Sequence, residues 1–402
     1  MLGEDIISYL IAFGTAVLLL WFLRRVAFRI DLLDQPDERK DHHGAVPLIG
    51  GLAMFLAFSF AALTLAAPIA HLRSFFMASA LLVVVGVSDD LHELSSGARF
   101  LAQIAAALLM ALHGGVVLRD LGAIGPQGGM AVLGDWSVPL TVFATVGVIN
   151  ALNMSDGIDG LAGSLSLMTA LSLALIAWIG GDVGAVRILL LLAAVIVAFL
   201  LFNLRSGRRR ALVFMGDAGS MFLGFVLAWF FIHLSQGGER LMTPATALWI
   251  FAVPLIDTVS QMLRRILKGR SPFSADRGHF HHILMLAGFS PRQTLGIILA
   301  VTAVTTLIGL GGLYGGVPEA VMFYGFLGLF ALYFLTIMRA WKLRRFIRRS
   351  ISRRKKVPDQ RFEGDRRRPG AGSCKNRDDR RGAIPDRRVG VADRRMPRNS
   401  EE

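Results

Sequence analysis

Residues 185–203 read AVRILLLLAAVIVAFLLFN, with one charge, Arg187, in the whole run. A helix needs about 20 mostly apolar residues to cross the hydrocarbon core of a bilayer, and this run supplies them. Working outward, windows of similar length and apolarity lie near 5–23, 47–67, 71–88, 100–118, 138–154, 161–180, 215–234, 244–263, 294–313 and 320–338. The predicted fold class is therefore all-α: a polytopic integral membrane bundle of about 11 transmembrane helices. Polar residues crowd the ends of the windows at 71–88 and 138–154. The first window is preceded by Glu4 and Asp5 rather than by a basic segment, so it reads as a retained span and not as a cleaved signal peptide.

Composition agrees. Of 402 residues, 54% are apolar and 18% charged, against roughly 45–50% and about 25% in soluble domains. A single cysteine, Cys374, excludes an intramolecular disulfide. The net charge of +14 is confined to one end: from Arg339 onward there are 23 Lys and Arg against 9 Asp and Glu, and the preceding residues are neutral overall. Two regions follow, a transmembrane domain over 1–340 and a basic tail over 341–402 expected to be disordered. Asp-Arg-Arg recurs in the tail at Asp365, Asp379, Asp386 and Asp393 without an apolar seam, so no coiled coil is predicted. Over residues 350–402 the one aromatic, Phe362, offers almost no stacking surface for nucleic acid. Anionic lipid headgroups remain as a partner, each Lys or Arg near such a surface contributing about 1 kcal/mol; a solvated topogenic tail is the alternative.

Basic residues in the connections alternate. Connections after odd-numbered windows hold 16 Lys and Arg, and those after even-numbered windows hold 4, namely Arg73, Arg119, Arg187 and Arg240. The positive-inside rule then puts the N-terminus outside and the odd connections and tail in the cytoplasm. The densest polar clusters fall in the same odd connections, and carboxylates close to membrane segments are costly and usually functional.

Five clusters stand out. Lys40, beside Asp41, His42 and His43 and ahead of Pro47, Gly50 and Gly51, supplies a cation near a helix start, suited to phosphate. Asp89 and Asp90 are adjacent, so on a helix they point about 100° apart and take different partners; Glu93 follows. Asn153, Asp156 and Asp159 lie in NMSDGIDG; on a helix the two acids would share one face, where they repel unless a cation or ligand intervenes. Asn203 precedes a basic run and Phe214-Met215-Gly216-Asp217-Ala218-Gly219-Ser220, where a lone carboxylate at a helix mouth suits a divalent cation or a helix N-terminus. Finally Arg277, His279, His281 and His282 form RGHFHH; without cysteine this pattern fits phosphate or nucleotide contact better than zinc. Together these are groups for magnesium, proton transfer and phosphate binding.

The ordered motifs DDxx-acid, NxxDGIDG, FMGDAGS and HxHH resemble those of the polyprenyl-phosphate N-acetylhexosamine-1-phosphate transferase family, over about residues 30–310. The resemblance implies transfer of a sugar-1-phosphate from a UDP-N-acetyl sugar to undecaprenyl phosphate at a bacterial inner membrane, with release of UMP. It implies magnesium, or manganese in its place, held by Asp217. Asp89 and Asp90 would line the reaction centre, one of them as base toward the lipid phosphate or as nucleophile. Asp156, Asp159 and Asn153 would bind the nucleotide and organise the site. His279, His281, His282 and Arg277 would meet the sugar-nucleotide, Lys40 the lipid phosphate, and Asn203 would be a site asparagine. The partners implied are these two substrates, membrane lipid and a second copy of the chain, and no nucleic acid. Glu93 departs from the family's third aspartate and adds one methylene of reach. A lipid phosphate is already largely ionised near pH 7, its second pKa being about 6, which favours one-step attack; a covalent aspartyl-phosphate route stays open.

A transporter or lipid flippase is the competing class, but it would place charges near the midplane of its spans. A scaffold recruiting partners through its tail is the third reading, and it leaves the odd-connection clusters without a role. A chain lacking residues 350–402 is expected to keep its catalysis in a detergent assay, which a scaffold acting through its tail would not show.

Overall fold

The computed structural model describes residues 5–34, 45–65, 72–125, 128–204, 211–271 and 278–339, and the helical backbone of 340–354. Thirteen α-helices are found among these residues. They are α1 (Ile6–Ile30), α2 (Gly50–Ala62), α3 (Leu72–His92), α4 (Ser96–Leu108), α5 (Ser137–Ser155), α6 (Leu161–Ile179) and α7 (Val183–Asn203), followed by α8 (Gly216–Ser235), α9 (Pro244–Ile250), α10 (Ala252–Ile266), α11 (Phe280–Leu286), α12 (Pro291–Tyr314) and α13 (Glu319–Arg354). A π-helical turn, Leu109–His113, extends α4. The only sheet among the described residues is the antiparallel pair β1 (Leu33–Asp34) and β2 (Val46–Pro47), with Leu33 opposite Pro47. The chain divides into a compact unit Met1–Leu343 and a second unit Arg344–Glu402. α13 runs on through Arg354, so residues 341–354 of the tail expected to be disordered are helical, and the remainder of that expectation falls on residues outside those described.

Helix starts follow local chemistry. The Ser95 hydroxyl accepts from Ala98 N–H and Asp182 from Ala185 N–H, capping α4 and α7. Thr243 caps α9 ahead of Pro244, and Ser290 with Gln293 forms a reciprocal capping box on α12 ahead of Pro291. Each such cap satisfies an N–H with no intrahelical partner and stabilises by about 1 kcal/mol.

The bundle is built around α8, whose apolar stretch is 94% buried, against 22% for α1 and 17% for α13. An apolar helix buried all round belongs to the interior, and the exposed apolar faces of α1 and α13 are suited to lipid. Around α8 stand α2, α3, α5 and α6. Their approach is close because glycines meet backbone. A Cβ on Gly51 of α2 would collide with Gly219 of α8, and one on Gly86 of α3 with Ala218. A Cβ on Gly224 of α8 would lie 2.7 Å from the Ile149 Cα of α5. Small residues at crossings are how helices gain packing where lipid leaves no hydrophobic drive.

Nine described helices are long and apolar enough to cross a membrane, and a bent pair makes a tenth. The expected count of eleven is not reached. With 13 residues, α2 is about 20 Å long at 1.5 Å per residue, short of the roughly 30 Å core. The window 244–263 is not one straight span either: α9 and α10 meet at 85°. Pro254 explains the break, since it has no N–H to give the Ile250 carbonyl and its ring clashes there. Arg187, counted above with the connections, lies inside α7 and pairs with the buried Asp5 at 2.6 Å.

Gly51→Ala is expected to lose at least about 1–3 kcal/mol, the range for overpacking, because the obstacle is backbone. Thermal unfolding in detergent, with Gly14→Ala as the control facing open space, measures the difference.

Candidate active site

The start of α8 is the hub. Helix N-termini leave N–H groups unpaired, and here Asp90 from the end of α3 supplies the acceptors. Its Oδ1 takes the Asp217 N–H at 2.9 Å and its Oδ2 the Ala218 N–H at 3.4 Å. Gly216 has φ +71°, and a Cβ there would lie 2.5 Å from the Asp90 carboxylate, so glycine is required on both counts. Backbone bonds fix the approach to α8: Gly50 N–H to Phe214 C=O and Gly51 N–H to Met215 C=O, both 2.9 Å, and Phe214 N–H to Pro47 C=O, 2.8 Å.

Asp89 turns elsewhere, as adjacent helical residues must. Buried, it accepts from Leu94 N–H at 2.7 Å and from Arg99 Nη1 at 2.9 Å. Glu93, at φ +49°, is the left-handed residue that ends α3 and lets the chain return to Asp89. Arg99 Nη1 also stands 3.3 Å from Asp217 Oδ2. On the other side, Asn153 Nδ2 donates to Asp217 Oδ1 at 2.5 Å and lies 2.8 Å from Ser220 Oγ. One turn deeper, Asn150 donates to Gln103 Oε1 at 2.6 Å, continuing a polar seam between α4 and α5.

Asp156 and Asp159 do not share a helix face. α5 ends at Ser155, Asp156 has ψ 54°, and Gly160 at φ +84° starts α6. The acids therefore diverge along a turn. Asp159 Oδ2 accepts from Ala211 N–H at 3.1 Å. Desolvation among the surrounding protein comes first, then the charges of Asp217 and Asp159, and together they push the Asp156 carboxyl up to about 7; its outer edge is open to solvent. Asn203 is buried between backbone partners, accepting from Gly160 N–H at 2.6 Å and donating to Val213 C=O at 2.9 Å. It ties the two connections flanking α6 and α7 together.

The histidines join from the far side. His281 lies against Gly157, where a Cβ would strike its ring. It is 3% exposed, and its Nε2 has no hydrogen-bond partner among the described residues. Burial first, then the neighbouring His282 and His279, holds its pKa down at about 3, so it is a neutral strut between the two connections. His279 stacks on it with ring centres 6.0 Å apart, and His282 packs at 4.2 Å. Lys40 and Arg277 lie outside the described residues.

A family model described as Glycosyl transferase family 4 matches residues 72–235. Over 357 residues the chain is 39% identical to the undecaprenyl-phosphate alpha-N-acetylglucosaminyl 1-phosphate transferase of Yersinia pestis, spanning 88% of this chain and 97% of that one. The protein of that name from Escherichia coli K12 is 40% identical over 348 residues, 86% of this chain and 94% of its own. That of Haemophilus influenzae is 38% identical over 357 residues, 87% and 99%. The chain belongs to the polyprenyl-phosphate N-acetylhexosamine-1-phosphate transferase family.

No group of three or more His, Cys, Asp or Glu among the described residues is placed to hold a metal. Magnesium does not need one, because it takes one or two carboxylates and completes its shell with water and substrate phosphate. Asp89 and Asp217 supply two hard-oxygen carboxylates that face one point; Arg99 Nη1 lies at that point here, and a bound cation would take its place.

Three residues important to this geometry were not singled out in the sequence. Arg99 counted only as a connection charge. Asp257 was a signal passed over, an acid inside an apolar window. Arg264, among the largest fully buried side chains, looked like ordinary positive-inside charge until α10 was seen to fold back against α5.

The low pKa of His281 has a consequence for stability. Unfolded, a histidine takes a proton near 6.5; folded, this one resists until about 3. The unfolded state therefore binds more protons between those values, and stability is lost as pH falls through that window. His281→Gln is expected to flatten this acid limb in a thermal-unfolding series from pH 7 to pH 4.

Proposed function

We propose that this membrane enzyme transfers N-acetylhexosamine-1-phosphate from a UDP-sugar to undecaprenyl phosphate, giving undecaprenyl-diphospho-sugar and UMP, the initiating step of a cell-surface polysaccharide. The observation that carries this is the convergence of Asp89, Asp217, Asn153 and Arg99 on one point beside the Asp156 turn, in a chain of this family. N-acetylglucosamine is the sugar in the relatives' names and is the donor proposed here. The positive-inside count supports an inner-membrane setting with the site and tail cytoplasmic and the N-terminus periplasmic.

In balance, a phosphate oxygen of the lipid bonds to the phosphorus that carries the sugar, the bridge to the other phosphorus breaks, and UMP leaves. Asp217 and Asp89 would hold magnesium, which when bound neutralises charge on the diphosphate. Asn153 keeps the Asp217 carboxylate aimed, through a hydrogen bond to one oxygen that leaves the other facing Asp89 and Arg99. Arg99, released from the carboxylates by a bound cation, would offer its guanidinium to phosphate oxygens. Asp90 works through the backbone, holding the N-terminus of α8 and with it the position of Asp217. Asp156, its carboxyl raised by desolvation and by the charges of Asp217 and Asp159, is suited to exchange a hydrogen bond with the nucleotide. Asp159 and Asn203 fix the turn that carries it. His279 and His282 pack on either side of His281 and are assigned by motif to the donor sugar-nucleotide, and Lys40 and Arg277 to the lipid phosphate and the nucleotide. The lipid phosphate is ionised without help from a base, which favours attack in one step.

The transporter reading wants charges at mid-span. Here Asp89 and Asp90 close the end of α3 and Asp217 opens α8, which favours chemistry at one membrane face.

The test uses detergent-solubilised enzyme, undecaprenyl phosphate and UDP-N-acetylglucosamine labelled in the sugar. Label is expected in the organic phase with UMP released, abolished by EDTA and restored by magnesium. Asp217→Asn is expected to reduce turnover at least about 100-fold, the scale for removing a key electrostatic group. UDP as the released nucleotide would sink the phosphosugar-transfer mechanism.

A further inference from the structure

Asp257 sits on α10, 6% exposed, on the side that also buries Gln261 and Arg264. A buried carboxylate is tolerated only when its oxygens are well paired. Three donors meet this one. His279 Nδ1 lies 2.9 Å from Oδ2, Phe280 N–H donates to Oδ1 at 3.0 Å, and the Tyr333 hydroxyl donates to the same oxygen at 2.8 Å. The carboxylate acts as an acceptor in all three, so the proton of the His279 ring is on Nδ1. The two nitrogens lie on different edges of the ring. Fixing Nδ1 on α10 therefore turns Nε2 away from that helix. The chain is braced at both ends: the Phe280 ring meets the Tyr333 ring edge-on at 5.8 Å, and the His279 ring stacks within 9° of parallel on His281, which rests on Gly157.

We infer that Asp257 and Tyr333 are positioning residues that fix the tautomer and orientation of His279, presenting Nε2 to the donor sugar-nucleotide. The inference rests on the proposed function, in which His279 faces that donor. It assigns work to two residues that touch neither substrate, and it makes α13 part of the donor site. Partners of this kind fix which ring nitrogen carries the proton and where the other points. Asparagine in place of Asp257 has one acceptor oxygen where three donors converge, so it cannot serve both the ring and the Phe280–Tyr333 pair. Phenylalanine in place of Tyr333 keeps the packing and removes one donor.

Steady-state kinetics of purified enzyme in detergent, varying UDP-N-acetylglucosamine and undecaprenyl phosphate separately, test this with Asp257→Asn, His279→Gln, the double variant, and Tyr333→Phe. Asp257→Asn and His279→Gln are each expected to raise KM for the nucleotide-sugar about tenfold, the worth of one charge-assisted hydrogen bond, with KM for the lipid unchanged. The double variant is expected to be no worse than His279→Gln alone, since residues acting through one another are not additive. Tyr333→Phe is expected to raise the same KM about threefold in the wild-type background and to have no effect beside His279→Gln. Additive losses, or equal changes in both KM values, would overturn the inference and leave Asp257 a packing residue. An unchanged KM for His279→Gln would instead refute the placement of His279 against the donor. Should Asp257→Asn fail to fold, the Tyr333→Phe pair decides alone.

Discussion

The structure turns on a helix N-terminus set among other helices at one face of the bundle. The first N–H groups of α8 point into the junction of α2, α3 and α5. Asp90, reaching in from the neighbouring helix, supplies both acceptors, and its negative charge suits the positive end of the helix dipole. This contact forces the glycines. Gly216 must adopt a left-handed conformation beside the carboxylate, and Gly51 and Gly86 must let two helices close on the same turn. Once these are satisfied, Asp217 has one place to be, on the first turn of α8 beside Asp89.

That placement creates a second problem, two carboxylates facing each other at the edge of a membrane protein. Arg99 resolves it by lying against both, and Asn153 holds the far oxygen of Asp217. The same arrangement that relieves the repulsion provides cation and hydrogen-bond donors for a diphosphate. The connections are tied to one another as well as to the helices: Asn203 links Gly160 to Val213, Asp159 takes Ala211, and His281 rests on Gly157. A site assembled from several separate connections is thereby held to one geometry. The broken pair α9 and α10 completes it, because the 85° turn at Phe251 lays the Asp257, Gln261 and Arg264 side of α10 against the site wall.

The apolar windows were legible because burial in lipid demands long uncharged runs, and every window holds a helix or a helix pair. The windows with crowded polar ends, 71–88 and 138–154, became α3 and α5, whose ends carry Asp89, Asp90 and Asn153. The divergence of Asp89 from Asp90 followed from helix geometry alone. What misled was assuming regularity. The stretch 244–263 has the composition of one span and breaks at Pro254, Asp156 and Asp159 lie on a turn, and Arg187 sits inside a helix with Asp5 as its partner.

By itself, the sequence determined the class of protein, the family, and the small set of polar motifs that chemistry must use, since these depend on composition and on order along the chain. Only the tertiary structure decided what each group does. Asp90 and Asn203 bind backbone, His281 is a buried neutral strut, and Arg99, Asp257 and Tyr333 hold the groups around them. The reason is physical: a side chain's role is set by which atoms lie within about 3 Å of it, and partners such as Asp257 and Tyr333, 76 residues apart, meet only when the helices pack.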